Sequence, residues 1–320
     1  MQALAGILVV DLTRYLPGAF ASRELLRLGA RVVRVESPDG DPMRETAPAW
    51  DGALREGTES VICDLKNDPH LAQALVARAD VVLESFRPGV AARLGVGAED
   101  VRASTVYCSI TGFGASGPRA ARAGHDLNYL GWAGVLEDTA TEWPPVQVAD
   151  LAAGALGAVV EILAALLERQ RTGEGASITV SMTHRSHDLV AHRLAGEPVP
   201  RMLTGGLACY RTYATADGRH LTVGALEPKF FARLCELIER PELAERQYVA
   251  DQDGLAGELS EIFSARSLAD WLDHFGEEDV CVGPVSTRAE AATEFGFRST
   301  GKPPALGEHT ESWRRELGLS

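Results

Sequence analysis

Residues 6–38, GILVVDLTRYLPGAFASRELLRLGARVVRVESP, decide the fold. Two β-branched runs, 6–13 and 30–37, flank a stretch of helical periodicity over 17–28 in which Pro17 takes a first-turn position. The alternation continues downstream. ESVICDL (59–65), ADVVLES (79–85) and STVYCSITG (104–112) read as further strands, with a helix over 68–78 beginning near Asp68. Near-continuous apolar strands separated by helices indicate a mostly parallel α/β sheet covered on both faces. A long helix is expected from about Asp150 to Gln170, ended by RTGEG, and ASITVSM (176–182) reads as one more buried strand.

Beyond residue 185 the pattern changes. ACYRTYATADGRHLTVGAL (208–226) alternates and is broken by Asp217-Gly218, a hairpin signal. Helical stretches near 227–239, 254–264 and 267–275 follow, then a short strand over 280–286. The fold class expected is therefore α/β: a Rossmann-like parallel-sheet large domain over 1–185, completed by 300–320, and a smaller α+β domain over 205–290. Linkers rich in Gly, Pro and Arg, at 193–206 and 299–310, bracket the smaller domain.

With 320 residues, 45% hydrophobic and 24% charged, the chain can bury a sizeable core. Its net charge of −14 opposes a broad nucleic-acid or anionic-membrane surface, so an anionic ligand needs a local basic pocket. No uninterrupted apolar run reaches the roughly 18 residues of a membrane span, and the N-terminus lacks a basic leader, so a cytoplasmic location is expected. Five cysteines without a CxxC pair argue against a disulfide framework and a structural zinc site.

Gly112-x-Gly114-x-x-Gly117 matches a dinucleotide fingerprint, but Pro118 and RAARAG follow where a helix should open, which favours a structural turn. His184, His187 and His192 lack a matching carboxylate–histidine motif and read as solvated helix residues. In GHDLNYLGW (124–132), Asp126 suits a helix start, whereas His125 has no structural reason to be there. Asp150 reads as the N-cap of the long helix, a position compatible with proton transfer, and Glu227 as a first-turn acid ahead of Pro228.

Taken together, GHDLNYLGWAG, VADLAAGAL, YATADGRHLTVGALEPKFF and LGEHTESWRRELG resemble the family III (CaiB/BaiF-type) CoA-transferase superfamily, and within it the α-methylacyl-CoA racemases. The stretches 6–38 and 79–96 resemble the family's N-terminal part, so the likeness runs along nearly the whole chain. The resemblance implies that His125 and Asp150 are acid/base groups on opposite faces of a substrate α-carbon, with Glu227 orienting the histidine. It implies epimerisation of a 2-methylacyl-CoA through an enolate, no metal or redox cofactor, and an interlocked homodimer with shared sites. The superfamily's transferases resemble this chain at Asp150, where their carboxylate is a nucleophile, but they usually have an aromatic residue in place of His125. Arg87 in FRPG is the CoA-binding position that the resemblance favours; Arg34, Lys66 and Arg93 are further basic candidates near strand ends or in loops of the large domain. The chain departs from the family pattern between 185 and 205, where it is short, and at SMTHRSHD (181–188). A CoA-transferase and a non-catalytic acyl-CoA binder remain alternatives.

Overall fold

The computed structural model describes residues 2–137, 144–195, 202–296 and 302–319; the two expected linkers fall partly outside these. The chain divides into two compact units, 1–191 with 299–320, and 192–298. In the first, six strands form one parallel sheet: β1 (Leu8–Asp11), β2 (Arg31–Glu36), β3 (Glu59–Ile62), β4 (Val81–Glu84), β5 (Val106–Thr111) and β6 (Ala176–Ser181). Their order is β3-β2-β1-β4-β5-β6. The run of the chain therefore reverses between β1 and β4, which opens a crevice at the carboxyl ends of these strands.

Alternate side chains serve opposite faces of this sheet. Val9, Val32 and Val81 join Leu25 of helix Tyr15–Arg27 and Ile162 of helix Gly157–Thr172 in one buried cluster. Their neighbours Val10, Val33 and Val82 join Leu71 and Leu75 of helix His70–Arg78 in the other. Trp313, on helix Thr310–Glu316, is fully buried in that second cluster, and its indole N–H donates to Glu59 at 2.6 Å. The C-terminal segment thus returns to the edge strand of the sheet.

The helix that begins at Ala149 departs from expectation in two ways. Its first eight residues, Ala149–Leu156, are π-helical, and Val148 rather than Asp150 holds the N-cap position. It is also 24 residues long, Ala149–Thr172, and includes an 18-residue stretch with a mean hydropathy of 1.9, so by length and composition it could cross a membrane. Asp150 and Glu161 bound its first apolar run, 151–160, so the sequence holds no uninterrupted run of spanning length here. One face is accounted for by packing, since Ala155, Ala158, Ile162 and Leu166 are buried in the sheet's core.

The second unit holds an antiparallel sheet, β7 (Tyr210–Ala214), β8 (His220–Gly224) and β9 (Val282–Pro284), in the order β7-β8-β9. The hairpin between β7 and β8 turns at Asp217-Gly218, where Gly218 takes φ +72°. Helices Pro228–Leu237, Gln252–Phe263 and Leu268–Phe275 contribute Phe231, Leu234, Phe263 and Trp271 to its own core.

A cluster of charge lies buried beside β1 and β2. The parallel register sets Asp11 opposite Arg34, and the Arg34 guanidinium lies 3.2 Å from Asp11 and 3.6 Å from Asp41. Arg55 adds contacts to Glu36 at 3.0 Å, Asp41 at 3.5 Å and Asp51 at 2.7 Å. Burial works against the Glu36 carboxylate, but Arg44, Arg55 and Ser60 together hold its pKa below the ordinary value. Removing one partner from such a cluster strands charges that water cannot reach. Arg55→Ala is therefore expected to destabilise the protein by about 3–5 kcal/mol, measured as a lowered denaturant midpoint; a midpoint equal to wild type would show that the cluster is dispensable.

Candidate active site

A cavity of about 610 Å³ occupies the crevice at the switch point. Its walls come from segments that follow strands: Arg14 and Tyr15 after β1, Ser85 and Arg87 after β4, Gly112 after β5. The Arg14 N–H donates to Ser85 Oγ at 3.4 Å, joining the first two of these loops. His125, Asn128, Tyr129 and Asp150 complete the chemistry-bearing wall.

His125 is the N-cap residue of helix Asp126–Ala133, and its N–H donates to the Asn128 side chain at 3.0 Å. This bond fixes the backbone and leaves the exposed imidazole on the cavity wall. The Tyr15 ring stands edge-on to it, with centroids 6.4 Å apart and planes at 88°. Tyr129 is threaded between two glycines: a Cβ on Gly112 would lie 2.5 Å from its ring and one on Gly124 2.7 Å. Its hydroxyl donates to the Gly124 carbonyl at 2.5 Å, so these glycines are required by close approach.

Asp150 is the second residue of its helix and makes no side-chain cap. Asp126 takes that role from the neighbouring helix, its Oδ1 accepting the Asp150 N–H at 2.9 Å. Burial raises the Asp126 pKa, and the N–H groups of Asp150 and Ala149 pull against that rise. Desolvation, reinforced by the negative charge of Asp126, pushes the Asp150 carboxyl up to about 7. A carboxyl with that pKa can both accept and release a proton near neutral pH.

The other sequence-derived candidates divide sharply. Arg87 is exposed, has no ion pair among the described residues, and lines both this cavity and an adjoining one of about 300 Å³. With Arg14 and Arg122 it makes a basic wall in an acidic protein, the feature that an anionic ligand requires. Arg34 is a correction: it is 1% exposed and committed to Asp11 and Asp41, so it is not available to a ligand. Lys66 and Arg93 are exposed and line neither cavity. Glu227 is the exposed N-cap residue of helix Pro228–Leu237 in the second unit. The turn before it is held by Gln247, which donates to the carbonyls of Ala225 at 3.0 Å and Leu226 at 2.8 Å.

The glycine motif forms a turn. Gly114 and Gly117 have φ of +94° and +93°, and no helix opens before Asp126. The histidines are engaged locally, His184 with Ser181 Oγ at 2.7 Å and His187 with the Ala133 carbonyl at 3.0 Å. Sequence reasoning missed Tyr15 and the cross-helix role of Asp126. The only signal for the latter was a carboxylate at a helix start, which cannot say which helix it serves.

The raised Asp150 pKa has a thermodynamic signature. Because the folded value of about 7 exceeds the unfolded value near 3.9, ionised Asp150 disfavours the folded state above pH 7, and this cost fades as pH falls toward 4. Asp150→Asn should therefore be more stable than wild type at pH 8, by on the order of 2–4 kcal/mol, with the gap closing near pH 4. Thermal melts at the two pH values check this; a gap of the same size at both would refute it.

The sequence profile of CoA-transferase family III matches residues 4–310. α-Methylacyl-CoA racemase from Homo sapiens is 32% identical, covering 100% of this chain and 94% of that protein, in an alignment of 369 positions. That length, against 320 residues here, means that the relative carries insertions this chain lacks. Succinyl-CoA:glutarate CoA-transferase from Mus musculus is 31% identical over 99% of this chain and 87% of its own. Among solved structures, a CAIB/BAIF family protein from Brucella suis superposes with a TM-score of 0.84 at 28% identity, covering 98% of this chain and 99% of the other. The parallel sheet, the cavity at its switch point and this agreement over the whole chain lead to one conclusion: the chain belongs to CoA-transferase family III.

Proposed function

We propose that the protein inverts the α-carbon of a 2-methylacyl-CoA thioester by two-base proton transfer through an enolate. The observation that carries this reading is that an imidazole, His125, and a carboxyl with a pKa of about 7, Asp150, line one cavity. One group removes the α-proton from its face and the other delivers a proton to the opposite face. The thioester bond stays intact and nothing is oxidised, so the chemistry calls for no metal or redox cofactor. Helix starts at both bases favour the negative charge that develops on the enolate oxygen. Arg87 and its basic neighbours would meet the phosphates of CoA.

The competing reading is CoA transfer, with Asp150 as the nucleophile that forms a mixed anhydride. It draws support from the 31% identity to a CoA-transferase. It leaves His125 without a task. In heavy water, a single enantiomer of a 2-methylacyl-CoA should gain deuterium at the α-position and drift toward both epimers with no acceptor acid present. His125→Ala should abolish inversion, with any residual exchange confined to the face served by Asp150. Turnover only when a second carboxylate is added, with an Asp150 adduct trapped by hydroxylamine, would establish the transferase instead. Binding without either reaction would leave a non-catalytic acyl-CoA binder.

We also propose that the working unit is a homodimer in which Glu227 of the partner subunit orients His125. An exposed apolar row, Leu156, Val160 and Leu167, runs along helix Ala149–Thr172, with exposed Leu127 and Trp132 on helix Asp126–Ala133. A row of exposed apolar side chains supports a contact with another macromolecule, and a second copy of the chain is the occupant that would also supply Glu227. Co-expression of His125→Ala with Glu227→Ala chains should regenerate activity in the heterodimer, since one of its two sites is then intact. Confirmed heterodimers as inactive as either parent would mean that each site is built within one chain.

A further inference from the structure

We propose that Tyr15 is a positioning residue for His125: a left-handed backbone, anchored by Asp41, holds its ring over the cavity, and that ring fixes the imidazole. Tyr15 has φ +63°, and the two other described non-glycine residues with positive φ, Glu239 and Cys281, lie in the second unit. A side chain in this region brings Cβ against the backbone, so the conformation persists only where surrounding contacts enforce it.

Asp41 supplies the contact that enforces it. The Tyr15 N–H donates to Asp41 Oδ2 at 3.0 Å, and the other oxygen of Asp41 accepts the Met43 N–H at 2.9 Å. Asp41 is itself buried and held between Arg34 and Arg55. The strained residue is therefore tied to a part of the fold that cannot yield without unpairing buried charge. Its ring nonetheless gains little burial, being 47% exposed on the cavity wall. Strain that secures neither core packing nor a turn glycine could have made is placed there for what the ring touches, and what it touches is His125.

His125 needs such a contact. Its backbone is fixed through Asn128, while the ring itself stands exposed on the cavity wall. An edge-on aromatic neighbour restricts the imidazole without occupying either ring nitrogen, so one can meet the orienting Glu227 of the partner subunit and the other can transfer the proton. The contact is made by the ring, so the hydroxyl is dispensable: Tyr15→Phe should preserve the function and Tyr15→Leu should lose it. Tyr15→Gly removes the ring and also relieves the backbone, which separates positioning from stability.

The test uses the full-length protein labelled with ¹³C at histidine Cε1, with the His125 resonance assigned by its loss in His125→Gln. Tyr15→Leu and Tyr15→Gly should move and broaden that resonance, Tyr15→Phe should leave it in place, and Tyr15→Gly should melt no lower than wild type. A second readout rests on the two-base reading above: α-proton exchange on the His125 face should fall about ten- to a hundredfold in Tyr15→Leu, and exchange on the Asp150 face should hold. An unmoved His125 resonance in Tyr15→Leu overturns the proposal, as does an equal loss of exchange on both faces. Absence of any exchange in wild type would sink the two-base reading alone, and the resonance then decides the role of Tyr15.

Discussion

Two guanidinium groups, those of Arg34 and Arg55, are held away from water against Asp11, Glu36, Asp41 and Asp51 beside β1 and β2. Charges of this kind cost desolvation energy that a simple apolar core would avoid. What they gain is direction. Asp11 also accepts from the Thr13 N–H and hydroxyl at 2.8 and 2.6 Å and from Ser22 at 2.6 Å, so one carboxylate shapes the turn from β1 into the helix behind it. Asp41 extends the same control to the backbone of Tyr15. The crevice between β1 and β4 is a consequence of strand order, but the shape of its β1 side is set by these ion pairs.

On the other side of the cavity, small residues do the shaping. Helix Ala149–Leu156 is rich in Ala and Gly, and a Cβ on Gly154 would lie 2.8 Å from Met182. Close packing brings Asp150 out of water, and the neighbouring carboxylate of Asp126 adds repulsion. Both effects favour the protonated form. The Asp126 bond to the Asp150 N–H provides the opposite kind of control, fixing where the residue stands. Asp126 thus sets position by hydrogen bonding and proton affinity by charge.

The fold was legible because its signals are local. Period and composition placed all six strands of the parallel sheet and the antiparallel hairpin within a few residues of their observed bounds. The chemistry was legible only in part. Arg34 at a strand end looks like a ligand-binding arginine in sequence; only the register that sets it opposite Asp11 shows its charge to be spent inside. Asp126 and Asp150 both look like caps of their own helices, and the bond that joins them spans 24 residues of chain. Tyr15 carries no mark at all, since a left-handed tyrosine is the product of a contact with a residue 26 positions away.

The family's two chemistries make different demands on what faces the carboxylate. A nucleophile needs an unblocked path to a thioester carbonyl and a partner acid to receive the acyl group or CoA. A proton-transfer pair needs a second titratable group across the same carbon, and it gains nothing from an attacking carboxylate. A pKa of about 7 for Asp150 serves the second demand directly, because a group half-protonated near neutrality works equally well in either direction of an inversion. The same value would leave much of a nucleophile protonated and inert at that pH. The His125 imidazole lines the same cavity, and on the proposed reading it is the second proton carrier, with each group working on one face of a planar enolate.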